Sequence, residues 1–149
     1  MAGNRRKARI RTLQALYEVD CAQHKPKDVL AHLVAEEALP PEVISFSEKL
    51  VQGVLQNKPR LDDIIRHFAP AFPVEQISII DRNILRIAIF EILFNNNTPL
   101  KVAINEAVEL AKSFGSDSSP RLINGVLGSI ASKYNVLERS EGKLSKISS

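Results

Sequence analysis

Residues 77–94 read ISIIDRNILRIAIFEILF and form the most apolar stretch of the 149-residue chain. Apolar side chains would cover most sides of a helix here, which is typical of a central, buried helix. The Ile-rich parts also suit a β-strand, but the length of the stretch favours a helix. With Asp81, Arg82, Arg86 and Glu91 inside it, the stretch is too short and too charged to span a bilayer. It therefore predicts the buried centre of a soluble domain.

The segments on both sides also carry apolar residues at helical spacing, separated by proline, glycine and short polar residues. Pro41 and Pro99 suit the first turn of a helix, and Asn4 suits the capping position before one. Ser119 is a second candidate cap, and Gly115 suits the position just after a helix end. The pattern predicts an all-α domain of about seven helices with short connections, at about residues 4–21, 28–39, 41–56, 59–68, 74–94, 99–114 and 119–134.

The composition is that of a soluble globular protein, with 44% apolar and 25% charged residues. We expect one domain over residues 1–137 and a flexible, polar tail over residues 138–149. Cys21 is the single cysteine, which excludes an internal disulfide and suits the reducing cytoplasm. The sequence has no H-E-x-x-H motif, cysteine cluster or glycine-rich phosphate loop. We therefore predict a cytoplasmic protein that is not an enzyme and has neither a metal site nor a cofactor.

The basic arm, residues 5–11, concentrates positive charge near the start of the chain. It holds Arg5, Arg6, Lys7, Arg9 and Arg11 and no acidic residue. Because the whole chain carries +3, residues 12–149 carry −2, from 15 basic and 17 acidic residues. This distribution indicates an anionic partner held at one place. A signal peptide is excluded, because charged and polar residues interrupt the apolar segment that follows the arm.

The helical phase of the basic arm is unusual for residues that only solubilise a helix. At about 100° per residue, Arg5, Arg6 and Arg9 fall on the same line as the core-facing side chains further along the helix. Cations at a helix N-terminus also oppose the helix dipole, so another interaction should favour them. Phosphate groups would do so, because guanidinium groups bind them in a bidentate way. A protein partner and a solvated helix end remain the alternatives.

Three segments together resemble the bacterial NusB family of transcription antitermination factors. They are residues 5–20, RRKARIRTLQALYEVD, residues 81–93, DRNILRIAIFEIL, and residues 99–128, PLKVAINEAVELAKSFGSDSSPRLINGVLG. The resemblance covers about residues 4–134, and the last segment is highly specific. It implies a fold in which two small helical bundles pack across each other.

The resemblance also implies a function. The chain would bind the boxA element of nascent ribosomal RNA leaders, a single-stranded RNA, together with the small-subunit ribosomal protein NusE. This pair would join the RNA polymerase antitermination complex and suppress premature termination, with no membrane involved. The alternative is a helical protein-interaction adaptor that does not read RNA directly. A monomer and a homodimer both remain open.

The candidate RNA-binding residues lie in two segments. At positions matching the RNA surface of the family, the basic arm contributes Arg5, Arg6, Lys7 and Arg9. The loop and helix start near residue 118 contribute charge, hydroxyl and amide groups suited to phosphates and base edges: Lys112, Ser118, Arg121 and Asn124. Ordinary helix capping is the alternative for this loop. Many relatives carry Phe where this chain has Leu122, so base stacking would be reduced here.

The candidate partner-binding residues follow from the resemblance as well. They lie on the first helix and at the start of the long central helix, and their acidic groups suit a basic ribosomal protein: Tyr17, Glu18, Glu75 and Asp81. A core position is the alternative for Tyr17. For Asn105, Glu106 and Arg86, the sequence favours structural roles over RNA contacts, because each is a polar residue in an apolar helix.

Overall fold

A computed structural model describes residues 2–22, 25, 28–29, 31, 39–69, 73–95 and 98–148, with side chains described as far as residue 134. The described residues contain helices and no strand, which confirms the all-α class. A 3₁₀ turn, Val74–Gln76, precedes the central helix, and a π-helical segment, Phe90–Asn95, continues it. The α-helices are α1 Ala2–Ala22, α2 Pro41–Gln56, α3 Lys58–Phe68, α4 Ile79–Ile89, α5 Leu100–Phe114 and α6 Ser119–Ser148.

Several predicted boundaries differ from the structure. The predicted helix at residues 28–39 lies mostly outside the described residues. Asn4 does not cap α1, because the helix already begins at Ala2, and its side-chain amide donates to Glu42 of α2 instead. The last helix continues to Ser148, well past the predicted end near Tyr134. The flexibility of residues 138–149 stays a prediction.

The apolar stretch forms the centre of the fold, as its sequence predicts. Four of its side chains, Ile84, Leu85, Ile87 and Ile89, are essentially inaccessible to solvent. Helix α4 contacts all five other α-helices of the described residues, among which α1 packs on α2 and α5 packs on α6. One large apolar cluster connects these elements. Side-chain contacts join the start of α1 to α5 and to the π-helical segment, and they join the start of α4 to the start of α6.

A polar cluster around Arg86 interrupts this core. The guanidinium donates from Nε and Nη2 to the two carboxylate oxygens of Asp62, at 2.8 and 2.9 Å. Its Nη1 atom donates to Asp20 and to Asn83, each at 3.1 Å. Lys58 adds a further bond to Asp20, at 3.1 Å. Arg86 is buried and satisfied by these groups, so the structure supports its structural role.

Acidification should weaken the fold through Asp20. Burial acts to raise the pKa of Asp20, but hydrogen bonds from Asn83 and Lys58 and the charges of Lys58 and Arg86 outweigh it and lower this pKa. A carboxylate with a lowered pKa stabilises the fold above its unfolded-state value of about 3.9 and loses that contribution as pH falls through the folded-state value. We expect the urea-unfolding midpoint to decrease as the pH falls below about 3.9 and through the folded-state pKa of Asp20.

The matched variant for this prediction is Asp20→Asn, which keeps the shape of the side chain and removes the titrating group. Its midpoint should be lower than that of the wild type at neutral pH and should depend less on pH below about 5. If both proteins lost stability with the same pH profile, another carboxylate would dominate acid unfolding.

Candidate nucleic-acid interface

The first turns of α1 present three cations to solvent. The side chains of Arg5, Arg6 and Lys7 are exposed, and no acidic residue lies in the first turn of the helix. Helix α1 packs against α2 and α4, and Arg5 and Arg6 reach towards α2 and α5 respectively. The basic arm therefore lies where α1 meets other helices, and side chains of α2 and α5 contact its cations.

Arg6 is oriented by a carboxylate of α5. Its Nε and Nη2 atoms donate to the two oxygens of Glu106, at 3.0 and 3.1 Å, and this contact raises the pKa of the guanidinium. A side-on pair of this kind leaves the Nη1 edge of the guanidinium available for a second bidentate contact. The Arg6 side chain is 55% exposed, so this edge is accessible to a phosphate. Glu106 is buried beneath it, which fits its predicted structural role.

The Arg5 guanidinium lies over an aromatic ring of α2. Its guanidinium carbon is 4.4 Å from the centre of the Phe46 ring, a cation–π distance. Asn4, Glu42 and Val43 complete a shallow recess around this pair. The Arg5 side chain is exposed, so its guanidinium is accessible to an anion. The sequence pattern gave no indication of Phe46, because a half-buried aromatic in an amphipathic helix reads as part of the core.

Arg9 does not belong to the exposed group, so the structure does not bring it together with the other predicted RNA-binding residues. Its side chain is 3% exposed and donates from Nε and Nη2 to Glu91, which is 1% exposed, at 2.9 and 2.8 Å. The hydroxyl of Thr98 donates to the same carboxylate at 2.9 Å. Arg9 lies on the core-facing side of α1, as the helical phase predicts. On that side its guanidinium forms a buried ion pair with Glu91.

Helix α5 brings Lys112 towards the basic arm. Glu106, Glu109 and Lys112 follow one another at a spacing of three residues and so lie on one side of the helix. The ammonium of Lys112 is 3.4 Å from Glu109, whose charge also acts on Arg6. Lys112 is about 9 Å along the helix axis from the residue that holds Arg6. Lys112 and Arg6 are thus linked through the charge of Glu109, which acts on both cations.

The serine turn, residues 115–119, connects α5 to α6 and exposes Ser118. Gly115 is not in the left-handed conformation of a common helix cap, since its φ of −92° and ψ of −169° are extended. Glycine is required there for space, because a β-carbon would overlap the Ser119 side chain. Ser119 is the first residue of α6 and not the residue before it.

Arg121 and Asn124 are exposed on the first turns of α6. Their spacing of three residues places them on one side of that helix. Leu122 packs against the core cluster and is half-buried, so it does not offer a stacking surface. Phe114, 39% exposed, directly precedes the serine turn, and it was not among the predicted residues. The sequence feature that could have indicated an exposed Phe114 is an aromatic residue directly before a glycine at a helix end.

The predicted partner-binding residues separate into exposed and buried ones. Tyr17 is 41% exposed, and a hydrogen bond with the Cys21 thiol raises the pKa of its hydroxyl. Glu18 lies beside it and is half-buried, while Glu75 is exposed and 3.4 Å from Arg66. Asp81 is buried, so the structure does not bring it together with the exposed residues of the predicted partner surface. Its carboxylate accepts a hydrogen bond from Ser119.

No helix in the part of the chain that the structure describes has the length and apolar character needed to cross a membrane. Over the same residues, no group of three or more His, Cys, Asp or Glu side chains is arranged to hold a metal ion.

The fold and the site define a small all-helical protein that presents cations from two helices beside an exposed serine turn. A model of the NusB family matches residues 6–132, and the chain belongs to this family of transcription antitermination proteins. It is 56% identical over 131 residues to transcription antitermination protein NusB of Dehalococcoides mccartyi (strain CBDB1), covering 88% of this chain and 92% of that protein.

Solved structures agree with this assignment. A structure of T. maritima NusB superposes with a TM-score of 0.81 and 29% identity, covering 86% of this chain and 90% of that one. A chain from a crystal structure of the antitermination factors NusB and NusE in complex with double-stranded RNA superposes with a TM-score of 0.82. That chain is 23% identical, with 90% of this chain and 100% of that chain covered, and it shows the shared fold alone.

Proposed function

We propose that this protein binds boxA-type single-stranded RNA of nascent ribosomal RNA leaders together with the ribosomal protein NusE. In that complex it would keep RNA polymerase from terminating prematurely. The observation that carries the proposal is the surface formed by Arg5, Arg6, Lys7 and Lys112, in which a buried carboxylate holds one guanidinium with its outer edge free. Solvent-exposed cations gathered from two helices suit a phosphate backbone.

The two segments of the site would have different tasks. Phosphate contacts from the basic arm would position the RNA without reading its sequence. The serine turn would add hydroxyl groups through Ser118 and an amide through Asn124, with Arg121 beside them. These groups can bond to base edges and ribose hydroxyls. Base discrimination is therefore assigned to the turn and the start of α6.

The partner protein would bind a separate surface that includes Tyr17, Glu18 and Glu75. The first of these is an exposed aromatic residue, a type enriched at protein interfaces, and the other two are acidic and suit a basic ribosomal protein. The name of the relatives supports a role in antitermination, and the solved complex of NusB, NusE and RNA supports binding partners of both kinds. We propose further that the protein acts in the cytoplasm and catalyses no reaction.

Removing the three exposed cations of the basic arm should weaken RNA binding and its dependence on salt. The variant is Arg5→Ala, Arg6→Gln and Lys7→Ala, in which Gln keeps one hydrogen-bonding group beside Glu106. Each lost phosphate contact on a single strand reduces the slope of log K against log salt by about 0.7, so we expect a slope smaller by about 2. Fluorescence anisotropy with a labelled boxA-type RNA, titrated at several salt concentrations, measures this.

The matched control removes three exposed cations from other helices: Lys49, Arg60 and Lys133, each changed to Ala. It alters the net charge equally and should reduce the slope far less. Equal effects of the two triple variants would indicate binding to the overall charge of the protein. If wild-type protein bound NusE but showed no salt-dependent binding of RNA, the protein would instead be a protein-interaction adaptor.

A further inference from the structure

Asp81 connects the start of α4 to the serine turn through a buried contact. Its side chain is 6% exposed, and its Oδ2 atom accepts a hydrogen bond from the Ser119 hydroxyl at 2.9 Å. Its Oδ1 atom has no hydrogen-bond partner among the described residues. The Ser119 hydroxyl is thus the side-chain donor that the described structure provides for this carboxylate. Losing it would leave a buried charge without a bond, which is costly.

The sequence around Asp81 predicts a different use of the carboxylate. Ser78 caps α4 by accepting the backbone N–H of Asp81 at 3.1 Å. In a capping box, the acid three residues after the cap returns a bond to the backbone N–H of the capping residue. Here the Asp81 carboxylate accepts from Ser119 of α6 instead, 38 residues further along the chain. The Asp81 carboxylate therefore makes a tertiary hydrogen bond with the serine turn and does not complete a capping box.

This contact fixes the direction of the Ser119 hydroxyl. A hydroxyl has one proton, so donation to Asp81 leaves its lone pairs for other donors. The backbone N–H of Ser116 donates to that oxygen at 2.8 Å. The carboxylate, the hydroxyl and the amide form a chain of hydrogen bonds in which each bond strengthens the next.

The bonds extend to the exposed hydroxyls of the turn. Ser116 Oγ lies 3.1 Å from Ser119 Oγ and 3.3 Å from Ser118 Oγ. The backbone of Gly115 packs closely against the Ser119 side chain, because a β-carbon at residue 115 would overlap that side chain. The hydroxyl of Ser118 is therefore connected, through Ser116 and Ser119, to the buried carboxylate of Asp81.

We propose that Asp81 is a positioning residue for RNA binding, which holds the serine turn in its binding conformation through Ser119. This rests on the function proposed above. Asp81 would touch neither RNA nor the partner protein. Its loss would change the shape of the turn and would leave the phosphate contacts of the basic arm unchanged.

The test compares RNA affinity and salt slope among Asp81→Ala, Ser119→Ala and their double variant. We expect each single change to weaken binding about three- to tenfold, the effect of about one hydrogen bond, with an unchanged salt slope. The double variant should be no weaker than the worse single variant, since both remove the same contact. Asp81→Asn, which keeps an acceptor oxygen for Ser119, should bind within about twofold of wild type.

Ser78→Ala is the matched control, because it removes the cap of the same helix without touching the turn. It should lower the melting temperature but leave RNA affinity intact. Hydrogen exchange of the Ser116 amide gives a second readout and should speed up in Asp81→Ala and Ser119→Ala but not in Ser78→Ala. Affinity for NusE should stay unchanged in every one of these variants.

Four results would overturn the proposal: equal RNA losses in Asp81→Ala and Ser78→Ala, additive losses in the double variant, a reduced salt slope, or weakened NusE binding. A wild-type protein that binds no RNA would defeat the proposed function itself. The Ser116 exchange rates would then still report whether Asp81 holds the turn.

Discussion

Replacing Glu91 by alanine is expected to lower the free energy of unfolding by about 3–5 kcal/mol. The change removes the carboxylate that holds the Arg9 guanidinium and leaves that guanidinium buried without its partner, with both side chains at most 3% exposed in the wild type. It also removes the acceptor of the Thr98 hydroxyl. Domains are commonly stable by only about 5–15 kcal/mol, so the variant should be close to unfolding. Urea denaturation followed by far-ultraviolet circular dichroism measures the loss.

The control replaces both charges by apolar residues of similar size, Arg9→Met with Glu91→Leu. Buried ion pairs exchanged as a whole for apolar residues are often neutral or stabilising, so the double variant should recover most of the lost stability. A loss below about 1 kcal/mol in Glu91→Ala would mean that the guanidinium finds solvent or another acceptor. The same double variant should keep the salt slope of RNA binding, because Arg9 is not part of the exposed surface.

For Arg9, the sequence predicts the side of the helix correctly but not the residue that it contacts. The periodicity of α1 correctly places Arg9 on the line of the core, because helical phase is a local property. Its acid, Glu91, lies 82 residues further along the chain, and Glu106 is 100 residues from Arg6. One sequence has no local signal for such pairs, so a buried guanidinium and an exposed one look the same in it.

The central helix and Asp81 show the same difference between local patterns, which one sequence reveals, and long-range contacts, which it does not. The central helix was predictable because its apolar residues cover most sides of a helix, and proline marked the starts of α2 and α5. Asp81 could not be placed, since an acid in the first turn of a helix is commonly exposed. Its burial depends on Ser119, which the packing of α6 on α4 brings to it. Arg9 and Asp81 were both expected at the surface, and each is buried against a partner far along the chain.

Replacing Arg86 by alanine is the second change that should strongly destabilise the protein, by about 3–5 kcal/mol. The guanidinium satisfies Asp62 with two bonds and Asp20 and Asn83 with one each, from a position inside the apolar core. Without it, two largely buried carboxylates would face each other across a cavity. Repulsion and lost hydrogen bonds would act together there, and the free energy of unfolding from urea denaturation should report both.

Arg66→Ala provides the matched control, because Arg66 also contacts two acids, Asp63 and Glu75, but does so at the surface. Solvent screens such contacts, so this variant should change stability far less than Arg86→Ala. The pH dependence separates lost charge from lost packing. The Arg86 charge helps to lower the pKa of Asp20, so Arg86→Ala should raise that pKa and flatten the loss of stability on acidification. An acid profile parallel to that of the wild type would mean that the lost stability comes from the cavity, and that Lys58 and Asn83 suffice to hold Asp20 ionised.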